Sequence, residues 1–129
     1  MDRPRMRISA AVLGAADANE LADFYERLLG WTVAETYPGW VRLRHPSGDL
    51  TPAGLSFAHE QGYVRPVWPT KPGEQQMMVH LDIAVEDLEA GVAWAQELGA
   101  TLADFQPQEH VRVMLDPAGH PFCLFEGEV

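Results

Sequence analysis

The only cysteine of the chain, Cys123, lies in the stretch MLDPAGHPFCLF, and His80 opens the stretch HLDIAV with Asp82 two residues further on. A thiol beside an imidazole becomes a nucleophile when its pKa is depressed, the imidazole can take its proton and a third group orients the imidazole. Side chains alternate along a strand, so His80 and Asp82 share a face and Asp82 is the orienting group such a pair would use. The same residues also read as plain pocket wall. Free cysteine is among the most buried residue types and packs as a small hydrophobe, and a histidine facing a cup often only hydrogen-bonds. A single cysteine cannot form an intramolecular disulfide, which suits a reducing compartment and excludes Cys-rich zinc modules.

The aromatic residues are the other candidates for contact with a ligand. Trp40 begins the apolar stretch WVRLRH, while Tyr63 and Trp68 lie in QGYVRPVWPTKPGEQQ, where Pro66, Pro69 and Pro72 deny the backbone regular structure. Large rings on such a segment either pin it to the body or line the entrance of a pocket, and the two roles are compatible. Trp40 and Trp68 are therefore candidates for stacking on a flat ligand, with core packing the alternative for Trp40. Trp31 follows a helix-closing glycine and Trp94 lies inside a helix pattern, so both are expected to pack. His45 and His120 fall in equivalent Pro-Gly turns and His110 in the polar loop QPQEHVR, where each is expected to face solvent.

Charge and composition narrow the partners. Acidic residues outnumber basic ones 19 to 9, for a formal net charge of −10. Such a surface repels nucleic acid and anionic lipid and attracts cationic solutes. No apolar run approaches the roughly 18 residues of a membrane span, and MDRPRMRI has no signal-peptide pattern, so a soluble cytoplasmic protein is expected, with neither nucleic acid nor membrane as partner. At 129 residues the chain suits one domain, or two small halves sharing a core.

The elements that must position these residues occur twice. RISAAVLG reads as a strand, and Asp17 with Glu20 marks a helix start. Leu21, Phe24, Tyr25 and Leu28 form one apolar helix face, which Gly30 ends; the strands WTVAETY, WVRLRH and GLSFAH follow, the last after the loop PSGDLTPA. From Met77 the order returns: strand MMVHLDIAV, a helix opening at Glu86 and Asp87 with the face Leu88, Gly91, Val92, Ala95 and Leu98, then strands TLADF, VRVML and FCLFE. Gly30 aligns with Gly99 and Pro46-Ser47-Gly48 with Pro117-Ala118-Gly119, at offsets of 69 and 71. The expected class is α+β, two tandem βαβββ modules in a single domain: module one at about 7–60, a Pro-rich linker at 61–76 and module two at 77–127.

Paired βαβββ modules ending in DPAGHPFCL resemble the vicinal oxygen chelate superfamily of glyoxalases, extradiol dioxygenases and bleomycin-resistance proteins. HLDIAVEDLEAGVAWAQELGA and LDPAGHPFCLF are similar, more narrowly, to small glyoxalase-like proteins of high-GC bacteria. The resemblance implies that each module curls into a half-barrel cup. In metal-using members it implies four ligands, usually His, Gln or Glu, one from the first and one from the last strand of each module. His80 and Cys123 stand at those positions in module two. The offset of 69 carries His80 back to Ala11, with Ser9 nearby; Cys123 matches Ser56, because Leu55-Ser56-Phe57 parallels Phe122-Cys123-Leu124, with His59 reachable by a slip of three. One imidazole, one thiol and two small residues do not make the usual site, and a thiolate favours zinc or copper over magnesium, manganese, nickel or iron. No metal and no cofactor are therefore expected.

Two functions of different class remain. One is a metal-independent binding protein like the bleomycin-resistance branch, a homodimer enclosing a small natural product or metabolite, flat aromatic or cationic, against Trp40, Trp68, Tyr63, Ser56, His80 and Cys123. The other is a lyase, isomerase or dioxygenase of the superfamily using a divalent metal or the pair His80 and Cys123 as catalytic residues.

Overall fold

The computed structural model describes residues 1–48 and 53–129; the middle of the loop PSGDLTPA, residues 49–52, lies outside the described residues. The chain divides into two compact units, Met1–Gln61 and Gly62–Val129. No described helix is long and apolar enough to cross a membrane.

The first unit runs β1 (Ala10–Ala15), α1 (Ala18–Leu29), β2 (Thr32–Tyr37), β3 (Trp40–Arg44) and β4 (Gly54–His59). Asp17 caps α1 by accepting from the backbone N–H groups of Asn19 and Glu20, which satisfies donors the first turn leaves without partners. Leu21, Phe24 and Tyr25 are buried as the apolar spacing requires, with the Tyr25 ring stacked 5.4 Å from that of Phe57 on β4. Each such side chain contributes roughly 1.5–3 kcal/mol on leaving water. The sheet order is β1-β4-β3-β2, with β1 parallel to β4 and the other pairs antiparallel.

The second unit repeats the plan with β5 (Leu81–Val85), α2 (Leu88–Glu97), β6 (Thr101–Leu102), β7 (Val111–Leu115) and β8 (Pro121–Glu126), in the sheet order β5-β8-β7-β6. Asp87 caps α2 through the Ala90 N–H. The helix lies close on its sheet: a Cβ at Gly91 would meet the Val85 methyls at 3.1 Å. The architecture is α+β, two four-stranded mixed sheets each with one helix, as tandem βαβββ modules require.

Three differences from the sequence expectations have physical causes. The strand expected from Met77 begins only at Leu81, which pairs with Phe122. His80 would next face Pro121, which has no N–H for the ladder. The strand expected at TLADF stops at Leu102 because the Gln106 side chain occupies the neighbouring strand: its Nε2 donates to Val113 O and its Oε1 accepts from Val113 N–H. Trp94, expected to pack, is 47% exposed, because the short α2 turns only a narrow stripe centred on buried Ala95 toward its sheet.

Candidate functional site

One face of the second sheet holds α2 and the other is hollow. Phe122 and Leu124 of β8 are buried, so alternation turns Cys123 and Phe125 to the opposite side. The register brings Asp82 and Val113 directly beside Cys123, and Val111 beside Phe125. These residues line a cavity of about 420 Å³ together with His80, Trp68, Pro107 and Gln108. Its walls are largely apolar, and His80, Asp82 and Cys123 gather where β5 meets β8.

Those polar groups form a connected set. His80 Nε2 lies 3.2 Å from Asp82 Oδ1, and Asp82 is the direct strand neighbour of Cys123. Burial pushes the Cys123 pKa up, and the charge of Asp82 and its hydrogen bond push it further. The carboxylate thus neighbours both thiol and imidazole, and the three groups lie within 4.8 Å of one another. A nucleophilic cysteine needs the imidazole next to the sulfur and the pKa lowered; here the pKa is raised instead.

The proline-rich segment closes the cavity's edge. Tyr63 Oη donates to Ala118 O at 2.8 Å and lies 3.3 Å from His120 Nε2, while Arg65 donates to Pro117 O at 2.9 Å. The turn these residues grip is built by Asp116, 2% exposed, whose Oδ1 accepts from Ala118 N–H and His120 N–H. Gly119 completes it at φ 89°, a conformation that favours glycine, with the Arg65 guanidinium 2.8 Å from where a Cβ would stand. His120, expected in solvent, is half-buried under this strap. Further along, Trp68 Nε1 donates to Phe105 O at 3.0 Å, so this ring both pins the segment and walls the cavity. Desolvation under the strap raises the Tyr63 pKa to about 12.

Trp40 and Ser56 belong to the first unit. Register equates Ser56 with Cys123, since Val12, Ser56 and Arg42 lie side by side as Asp82, Cys123 and Val113 do. It equates Val12 with Asp82, and so Ala10 rather than Ala11 with His80; the offset on this strand is one residue longer than the glycines suggested. Where the second unit is hollow the first carries Arg42, which donates to Ser9 Oγ at 2.7 Å and pairs with Glu35 at 3.7 Å.

The residues that the superfamily resemblance assigns to a metal can be tested on this geometry. Ala10, Val12 and Ser56 offer no imidazole, carboxylate or carboxamide, so the four-ligand set of hard or borderline donors does not fit this chain. Sequence reasoning missed Phe125, Val111 and Val113 as walls. The signal was present in FCLF, where buried Phe122 and Leu124 imply that Cys123 and Phe125 turn the other way.

No curated protein sequence matches the chain. Among solved structures, a glyoxalase/bleomycin resistance protein/dioxygenase family enzyme from Burkholderia phytofirmans PsJN superposes with a TM-score of 0.70 at 16% identity, over 94% of this chain and 98% of that one. An antibiotic binding protein from Streptomyces sp. CB03234 gives 0.61 at 17% identity, over 98% and 100%. Lactoylglutathione lyase from Agrobacterium tumefaciens gives 0.61 at 17%, over 97% and 96%. At these identities the likeness is one of fold. The sequence model of the glyoxalase-like domain matches residues 10–125, and the chain belongs to that family.

Proposed function

We propose that this protein binds a flat aromatic small molecule carrying a cationic group, in the hollow face of its second module and without a metal of the kind its superfamily uses. The observation that carries the reading is the cavity of about 420 Å³, a size within the range of roughly 300–1,000 Å³ typical of ligand sites. The rings of Trp68 and Phe125 supply stacking surface. Asp82 supplies a carboxylate for the cation, in a protein whose formal net charge of −10 already favours cationic solutes. His80 and Cys123 act as polar wall, and Tyr63 acts by holding the strap that carries Trp68. The same fold serves an antibiotic binding protein, so a binding role is compatible with it. Trp40, at the start of its strand, and Ser56, at the last-strand position of the resemblance, are taken as the first module's ligand-facing residues, the working unit as a homodimer by that resemblance, and the setting as the cytoplasm because a lone cysteine suits a reducing compartment.

The test is tryptophan quenching with matched pairs of flat dyes, one cationic and one neutral. A cationic acridine should bind, Trp68→Ala and Phe125→Ala should each weaken it about tenfold, and Asp82→Asn should weaken the cationic dye while sparing its neutral partner. Unchanged affinity in Trp68→Ala and Phe125→Ala would remove this cavity as the site.

A further inference from the structure

His80, Asp82 and Cys123 each offer one ligand atom, and these three atoms lie within 4.8 Å of one another. Bonds of about 2.0–2.3 Å around tetrahedral zinc would set such atoms roughly 3.4–3.6 Å apart. His80 Nε2 and Asp82 Oδ1 are at 3.2 Å already, and Asp82 and Cys123 are direct neighbours across two strands. Small side-chain rotations close the remaining gap. We propose that the second module by itself binds one zinc ion through His80 nitrogen, Asp82 oxygen and Cys123 sulfur, with the fourth position open to the cavity.

This is not the arrangement that the superfamily resemblance implies. That set takes two ligands from each module and uses imidazole, carboxylate and carboxamide. Here one module supplies all three ligands, a thiolate replaces a carboxylate, and Asp82 adds a ligand from a position two residues beyond the usual first-strand one. The donor set decides the ion. Magnesium and manganese favour oxygen-rich sites, whereas a sulfur, an imidazole and one carboxylate with an open position match zinc and its analogue cobalt. On binding, the S–H bond of Cys123 breaks, its proton passes to solvent, and the sulfur lone pair bonds the ion with no change of oxidation state. Zinc and a cationic organic ligand then compete for Asp82, although the organic-ligand reading does not depend on the ion and is tested without it.

The experiment uses the full, untagged, reduced chain, stripped with chelator and titrated with cobalt(II) as spectroscopic probe. We expect one cobalt per chain with a thiolate-to-cobalt charge-transfer band in the near ultraviolet, displaced by zinc but not by a large excess of magnesium. Cys123→Ser should abolish the band, and His80→Ala and Asp82→Asn should weaken zinc about tenfold or more, each variant retaining the metal-free melting temperature of the wild type. Cys123→Ala serves in place of Cys123→Ser should that variant fold poorly. Cobalt bound without the band, a band that survives loss of Cys123, or displacement by magnesium would overturn the proposal; the first of these is adventitious surface binding only.

Discussion

Asp82 sets the chemistry available to Cys123. With the sulfur partly buried and the carboxylate beside it, ionising the thiol places a second negative charge against the first, so the proton is held more tightly than in a free cysteine. Alkylation by iodoacetamide at pH 7.5 should therefore run several-fold slower than for a free thiol. Asp82→Asn, which keeps the shape and removes the charge, should speed it several-fold, as a pH series of alkylation rates would show. Equal rates in both proteins would mean that burial alone protects the sulfur. A linked effect appears in stability. Cys123 and Tyr63 have folded pKa values above their ordinary values of 9.0 and 10.0, so the folded state keeps protons that the unfolded chain has lost. Stability is then constant with respect to these groups below about pH 9 and falls as pH rises further. Tyr63→Phe should remove the part of that fall lying between pH 10 and 12, measured by urea unfolding across the range.

At the scale of elements, the strap and the turn it grips are the parts that finish the cavity. Asp116 is buried and holds the backbone of the DPAGH turn through two N–H donors. Replacing it with Ala strands those donors at about 1–3 kcal/mol, by the usual cost of buried polar groups without partners, and loosens the carbonyls that Tyr63 and Arg65 grip. Asp116→Ala should thus lower stability by roughly that amount in chemical denaturation. It should also increase the susceptibility of the 61–76 segment to limited proteolysis, an effect a purely local loss would not produce. Gln106 plays the matching role on the far wall. By bonding both main-chain groups of Val113 it stands in for a strand residue, which cuts β6 short, brings Pro107 and Gln108 to the cavity and sets Phe105 against Trp68. A glutamine in a polar loop carries no period or motif, so this substitution for backbone pairing is invisible before folding.

For the molecule as a whole, a formal net charge of −10 and the Asp82 carboxylate in the cavity make association with cations sensitive to salt. The association rate of a cationic dye should fall several-fold between about 10 and 300 mM sodium chloride, as the Debye length shrinks from roughly 30 Å to under 8 Å. A neutral dye of the same shape should show little change in stopped-flow measurements, and equal salt dependence for both would remove the charge argument. The two modules share one topology and differ in what lies opposite the helix. The first carries the Arg42 and Glu35 pair where the second has Val113 and open space. How much of this the amino-acid order determines by itself follows from what is local. Apolar spacing, the caps at Asp17 and Asp87 and the glycine turns depend on neighbours a few residues away, so the helices, most strands, the duplication and the family were legible in the sequence. The contact of Asp82 with both His80 and Cys123, the pinning of Trp68 to Phe105 and the one-residue change of register that makes Ala10 the counterpart of His80 depend on pairings between distant strands. Those were decided only by the tertiary structure, because cross-strand register and side-chain hydrogen bonds are set when sheets assemble, and nothing in the local pattern carries them.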